Sequence, residues 1–354
     1  VNEVNEVNEV NEVNEVNETI KYNFDSITTI NNNDLKNIYK NIEMFQHNIQ
    51  KYKYILFICS DYPGYGGAAT NCNNLVNFFK KNHEVQEIYH TNHVPEQIDF
   101  SKRTIFVNRV NLHKTLKEIT FKPDLIILKN TVDSKINLKS IFPNTVVYYL
   151  IPGLYKDYLN KNYKELSENE YNKFLNKKII RQISSSDLSF CNSSHVQDIL
   201  KEKHNIDTKL FYSTFINYYN IYIQKIDISQ RKYDYGLIVS DFNRKIKNID
   251  ESISFLKNKD NVILIGNGSS KYKSHGFECI ELVKPNKMDK YYQQIKYIVQ
   301  DSFFESCSNV KIEALMNGCK IKKSNRYVIC STQYPYNGGA ATLAYHYNEY
   351  LLNK

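Results

Sequence analysis

Three short stretches of the 354-residue chain carry residue types that can do chemistry on an anion. The first is Pro63-Gly64-Tyr65-Gly66-Gly67-Ala68-Ala69-Thr70, set between an apolar run and a helical pattern. Gly66 and Gly67 let backbone amides approach a phosphate at a helix N-terminus. Gly64-x-Gly66-x-x-Ala69 also satisfies the dinucleotide fingerprint, but a lone match is weak, and a tight turn that needs glycine only for its backbone explains the same residues. The second stretch is Ser240-Asp241-Phe242-Asn243-Arg244-Lys245-Ile246-Lys247-Asn248. Three cations fall within four positions just past an apolar run, where an open α/β sheet binds anionic ligands; a solvated run of charges is the competing reading. The third runs from Asp301 to Cys319. Glu305 sits on its loop, Ser308 can cap a helix over Val310 to Met316, and Gly318 ends it. Seven residues separate Glu305 from Glu313, but a chain with 21 Glu yields about one such pair by chance. The context carries more weight than the spacing. A helix starting at Ser308 aims the amides of Ser308, Asn309 and Val310, and its positive dipole end, at whatever lies beside Glu305.

Those stretches need elements to hold them, and the pattern supplies them. Apolar runs predict strands at Tyr54 to Cys59, Val85 to His90, Thr104 to Val107, Leu125 to Lys129, Thr145 to Leu150 and Leu188 to Cys191. Helical patterns such as Gly67 to Lys80 and Ser194 to Lys203 lie between them. Such alternation indicates βαβ units and a parallel sheet. A Tyr-rich polar stretch over 216–232 reads as a linker. The same grammar then restarts at Tyr235 to Ser240, Val262 to Gly266, Cys279 to Val283 and Tyr297 to Gln300, so two Rossmann-like domains are expected, over 52–215 and 233–323. Ahead of them, residues 19–51 form a helical extension in which Asn33 or Asp34 caps a stripe of Leu35, Ile38, Ile42, Phe45 and Ile49.

Composition narrows the class. With 42% hydrophobic and 24% charged residues the chain is a soluble globular protein large enough for two domains. The abundance of Asn, Lys, Ile and Tyr reads as a nucleotide bias of the genome and says nothing about function. Lys plus Arg number 46 against 38 for Asp plus Glu, giving a net charge of +8 and favouring an anionic partner without choosing one. The seven Cys form no C-x-x-C pair or metal-ligand spacing and mostly sit in apolar runs, as reduced thiols of a cytoplasmic protein do. Neither a signal peptide nor a transmembrane segment is evident, which leaves peripheral membrane contact open. Residues 1–18 are six copies of Val-Asn-Glu, expected to be disordered and to have no catalytic part. A second repeat is longer-ranged: Tyr62 to Thr70 recurs as Tyr334 to Thr342 with seven of nine positions alike, each copy following an apolar run that carries a Cys. The second copy keeps Gly-Gly-Ala-Ala-Thr but has Tyr336 in place of Gly64, which counts against NAD. It also suggests that 324–354 is the truncated start of a repeated first domain, cut from a longer tandem product.

With Ser193-Ser194-His195 opening a helix late in the first domain, these stretches resemble a known family. It is the retaining glycosyltransferases of the GT-B fold, in particular the group 1 (family 4) class, whose hallmark is E-x7-E followed by a small residue and a Gly turn. The resemblance covers about residues 52 to 320. It implies an α/β fold of GT-B type, two Rossmann-like parallel-sheet domains facing a cleft, with the acceptor domain first and the nucleotide-sugar donor domain second. It implies that Glu305 contacts the donor sugar, Glu313 the nucleoside ribose, and Arg244 and Lys247 the diphosphate. The chemistry agrees: breaking a sugar–nucleotide bond leaves a diphosphate whose growing charge needs a counter-charge. No D-x-D occurs to hold a divalent ion, so fixed cations and helix amides remain, and no metal or other cofactor is expected. The expected reaction is retaining, metal-independent hexosyl transfer from a nucleotide-sugar to a saccharide, protein or lipid, without nucleic acid. The rivals are a nucleotide-sugar epimerase or hydrolase on the same fold and a non-catalytic nucleotide-sugar-binding module. The family's second domain usually continues well past the Gly turn, whereas a domain-like start follows Gly318 here.

Overall fold

The computed structural model describes residues 32–60, 67–91, 95–130, 132–133, 135–151, 175–192, 194–219, 223, 225–244, 247–302 and 308–322. Its strands are β1 Tyr54–Cys59, β2 Glu84–His90, β3 Thr104–Val107, β4 Leu125–Lys129, β5 Val146–Ile151, β6 Leu188–Cys191, β7 Lys209–Leu210, β8 Tyr233–Asp241, β9 Val262–Asn267, β10 Glu278–Ile280, β11 Ile295–Val299 and β12 Lys320–Lys322. Its helices are α1 Asn32–Ile49, α2 Gly67–Lys80, α3 Leu112–Glu118, α4 Leu138–Ile141, α5 Arg181–Ser184, α6 Ser194–His204, α7 Ile249–Leu256, α8 Met288–Tyr292 and α9 Asn309–Met316.

Two sheets form, in the orders β3-β2-β1-β4-β5-β6-β7 and β10-β9-β8-β11-β12, with every strand pair parallel. The two Rossmann-like parallel-sheet domains expected from the alternating pattern are therefore present. β1, β4 and β5 are buried almost throughout, as strands covered on both faces must be, and this is why they read as unbroken apolar runs. The strands that the apolar pattern did not anticipate are β7 and β12. Both are very short and carry Lys, the chemistry of edge strands that discourage further pairing.

Each sheet has one place where the strand order reverses. In the first it lies between β1 and β4, and in the second between β8 and β11. Loops leaving the carboxyl ends of strands on either side of such a point diverge and open a crevice. Both predicted anion loops of the second domain leave β8 and β11, and the Gly loop leaves β1.

Helix α1 packs on the first domain through Ile38, Ile42, Phe45 and Ile49, each at most 2% exposed. Burial of such side chains stabilises by about 2 kcal/mol each, and Phe45 stacks on Phe211 at 3.8 Å between centroids. The helix begins at Asn32, ahead of the start expected at Asn33 or Asp34. The segment expected to be a linker is anchored at both ends. Ser213–Tyr218 is a 3-10 turn whose Phe215 and Tyr218 are buried, and Arg231 is buried in the second domain. The Val-Asn-Glu repeat and the second Gly-Gly copy lie outside the described residues. No helix among the described residues is long and apolar enough to cross a membrane.

Candidate functional site

The loop after β8 is shaped by its own polar residues. Asp241 Oδ1 accepts from the Asn243 amide at 2.9 Å and from Asn243 Nδ2 at 3.0 Å, the Arg244 amide donates to the Asp241 carbonyl, and the Lys247 amide donates to the Arg244 carbonyl. Asn248 then takes a left-handed conformation, φ 51°, and starts α7. Arg244 is exposed with Nη1 3.5 Å from Ser240 Oγ, and Lys247 is half-buried. Lys271, which the pattern did not single out, reaches the same loop from the segment after β9. Its Nζ lies 3.3 Å from Asn243 Oδ1 and 3.5 Å from the Phe242 carbonyl.

A second glycine pair, Gly266 inside β9 and Gly268 just past it, was also missed. Its signal is a Gly-x-Gly at the end of an apolar run. Gly266 has φ 143°, and a Cβ there would lie 1.7 Å from the Val239 carbonyl oxygen, so the β8 and β9 backbones touch. Its amides are not free for a ligand: Glu281 accepts from the Gly268 amide at 2.6 Å and the Ser270 amide at 2.9 Å. The Ser270 hydroxyl and these amides hold the Glu281 carboxyl below the usual range.

At the end of β11 the predicted cap is present. Ser308 has extended dihedrals, and its Oγ accepts from the Lys311 amide at 3.3 Å and from Gln300 Nε2 at 2.5 Å. The amides at Asn309 and Val310 occupy the first turn of α9, whose dipole places partial positive charge there. The far end is closed by Gly318, φ 77°, and by Arg231. That guanidinium donates to the carbonyls of Asn317 at 2.9 Å, Ile295 at 2.8 Å and Ile226 at 3.0 Å. A buried cation at the carbonyl end of a helix opposes its negative pole.

Helix α9 joins the domains. Ile312 and Leu315 belong to the first-domain core, while Ala314 belongs to the second-domain core and Val310 packs against it. Asn309 Oδ1 accepts from the Thr214 hydroxyl at 2.7 Å. Asn71 of α2 completes the chain: its Nδ2 lies 3.4 Å from Thr214 Oγ1, and its Oδ1 accepts from the Ser213 hydroxyl at 3.1 Å. The helix entered through Gly67 and the helix capped by Ser308 are thus tied together through one hydroxyl. One turn further along α9, Glu313 accepts from the Tyr292 hydroxyl at 2.8 Å. Burial pushes its carboxyl up to about 7; the Tyr292 hydrogen bond opposes this and Asp289 adds to it. Tyr218, at the end of the 3-10 turn, is raised well above its ordinary range by burial and then by Glu313.

Ser308, Asn309, Val310 and Glu313 therefore share the helix region that is hydrogen-bonded through Thr214 to Asn71, one turn into the helix that starts at Gly67, and Arg244 and Lys247 occupy the neighbouring loop of the same sheet edge. Glu305 and Gly66 lie outside the described residues, as does the side chain of His195. A cavity of about 660 Å³ opens elsewhere, at the opposite end of β11, lined by Ile223, Lys225, Ile226, Asp227, Asp289 and Gln293 among others. It does not coincide with the junction of the helix ends. Among the described residues no cluster of three or more His, Cys, Asp or Glu is arranged to hold a metal ion.

No protein-family model matches the chain, and no curated protein matches it in sequence. Solved structures of similar shape include an alpha-glucosyltransferase in complex with UDP and a 13-mer DNA, at 12% identity over 76% of this chain and 78% of that one, TM-score 0.49. Sucrose-phosphate synthase from Thermosynechococcus elongatus is similar at 13% identity over 77% and 81%, TM-score 0.49. The lipopolysaccharide outer core galactosyltransferase WaaB, in its apo form, is similar at 13% identity over 85% and 90%, TM-score 0.47.

Proposed function

We propose that the chain is a GT-B glycosyltransferase that moves a hexose from a nucleotide-sugar to an acceptor with retention and without a bound metal. The observation that carries this reading is the convergence of two helix N-termini, one from each domain, through Asn71, Thr214 and Asn309. Each begins beside the point where its sheet reverses strand order, the place at which doubly wound sheets take nucleotides.

In this reading the diphosphate lies against the amides of Ser308, Asn309 and Val310 and between the side chains of Arg244 and Lys247. Glu313 turns an oxygen to the nucleoside ribose, and Glu305 holds the donor sugar. Gly66 and Gly67 are assigned the acceptor side. As the anomeric bond breaks, negative charge grows on the diphosphate, and preset dipoles and cations stabilise it without reorganising. The acceptor hydroxyl attacks from the face the diphosphate leaves, and the leaving oxygen takes its proton. The configuration is retained without a protein nucleophile.

Thermal shifts with UDP-, GDP- and ADP-sugars, each with magnesium or with EDTA, test donor and metal together. Stabilisation by one sugar nucleotide that persists in EDTA is expected; stabilisation that EDTA abolishes overturns the metal-independent part. Product analysis then separates transfer from its rivals. Epimerised or free sugar formed without acceptor dependence identifies an epimerase or hydrolase. Binding without turnover, unchanged by Glu305→Ala, identifies a binding module.

A further inference from the structure

Between the end of β1 and helix α2 lies a cluster that the transfer reaction does not use. Cys59 is the last residue of β1 and Cys72 lies in α2, so the two flank the loop. Their Sγ atoms are 2.9 Å apart, and both side chains are fully buried. Lys129, the last residue of β4 and only 7% exposed, points its Nζ at Cys72 Sγ from 3.0 Å. We propose that Cys59 and Cys72 are a peroxide-sensitive thiol pair that closes to a disulfide across the strand–helix junction of the first domain.

The hydrogen-bond pattern assigns the roles. An ammonium can only donate, so Cys72 Sγ accepts from Lys129 on one side and can accept the Cys59 S–H on the other. A neighbouring cation favours the thiolate, which is the nucleophilic form, so Cys72, beside Lys129 Nζ, is the sulfur that attacks. The other buried thiols are placed differently. Cys191 shares a hydrogen bond with the Thr208 hydroxyl at 3.1 Å, and burial pushes it up to about 12. Cys319 donates to the Tyr292 carbonyl at 3.0 Å, and burial pushes it to about 12 although Arg231 lies 3.5 Å away. That guanidinium divides its charge among backbone carbonyls.

The oxidant is hydrogen peroxide, which reaches the buried pair through local opening of the first domain. The Cys72 thiolate attacks one peroxide oxygen, the O–O bond breaks, and hydroxide leaves to take a proton from solvent. The resulting Cys72 sulfenic acid is attacked by Cys59 sulfur, which gives its proton to the departing hydroxyl as water. Two electrons pass from the two sulfurs to peroxide, and two waters form. The bridge fastens the end of β1 to α2 and fixes the pose of the helix entered through Gly67. The second Gly-Gly copy supports treating the pair as added to the motif. It keeps a Cys in its leading run, Cys330, but carries Ala344 where the first copy has Cys72. Alanine is therefore an accepted residue there.

The test exposes the full reduced chain to hydrogen peroxide, alkylates it after denaturation, and maps all seven Cys by mass. A Cys59–Cys72 cross-linked peptide lacking two hydrogens, reversed by dithiothreitol, is expected, with Cys191 and Cys319 recovered as alkylated thiols. The oxidised protein should melt several degrees higher. Lys129→Met should slow cross-linking about tenfold, the change in thiolate population that a one-unit rise in thiol pKa brings. Cys72→Ala should abolish the cross-link while keeping the far-UV spectrum. Recovery of Cys59 and Cys72 as alkylated thiols while half-buried Cys279 oxidises overturns the proposal. So does Cys72 found as a sulfinic acid with no cross-link. Mapping of the unaltered chain decides the matter even where a variant fails to fold.

Discussion

The two points of strand-order reversal are built from the same topology and opposite materials. At β1 and β4 the first domain places glycines, two buried thiols and a lysine turned inward against sulfur. At β8 and β11 the second domain places an exposed arginine, a half-buried lysine and the Ser308-capped, positive-dipole end of a helix. One junction hides its cation and the other presents its cations. A parallel sheet therefore fixes where a ligand can sit, and only the side chains beyond the strand ends decide which half of it is gripped by charge. On the proposed function, that division would give the diphosphate to the second domain and the approach of the acceptor to the first.

The division can be broken most decisively at its charged side. Combined Arg244→Ala and Lys247→Ala should lower transfer, measured as kcat/KM, about a thousandfold, in line with loss of preset charge at a leaving group. Because Arg244 is exposed, Arg244→Ala alone should hardly move the melting temperature. An equal loss of transfer from Lys129→Met would erase the contrast. Next in size is Gly266→Ala, which forces a Cβ into the Val239 carbonyl at 1.7 Å; a loss of about 3 kcal/mol or more in urea unfolding is expected. The matching change Gly276→Ala, at φ 80° with nothing within 4 Å, should cost far less.

A smaller effect concerns pH. The folded Glu313 carboxyl keeps its proton up to about 7, whereas the unfolded one releases it near 4.5. Between these values the folded state binds more protons, so stability falls as pH rises through the window, by about 2 kcal/mol for a half-buried group. Glu313→Gln should flatten that slope, while Tyr292→Phe, which removes a hydrogen bond favouring the charged form, should move it to higher pH. Smallest is Thr214→Val, which cuts the link between Asn71 and Asn309. A loss of about 1 kcal/mol is expected, together with a rise in KM for the sugar nucleotide that Thr214→Ser reverses.

The strands that build both sheets were legible because parallel strands covered on two faces become apolar runs, as in Leu125–Lys129, whose predicted and observed bounds coincide. The Ser308 cap and the Gly318 stop were legible because each is local chemistry of a few residues. What escaped was non-local. Nothing near Thr214 in sequence announces that its hydroxyl meets Asn71 and Asn309, 143 and 95 residues away. The contact of Cys59 with Cys72 likewise depends on how α2 lies back on β1. The Gly266 crossing escaped for a different reason: its glycine serves close approach of two backbones, which no local residue pattern announces. Edge strands β7 and β12 were too short for any periodicity.

The sharing of α9 between two cores limits how this molecule can move. Drawing the lobes straight apart would strip Ile312 and Leu315 of their neighbours in the first domain, at about 2 kcal/mol apiece. Turning one lobe about the axis of that helix keeps those contacts, much as a door turns on a pin that belongs to both leaf and frame. Substrate entry and product exit would then be a swivel of a few degrees, with the amide end of the pin staying where the leaving group needs it.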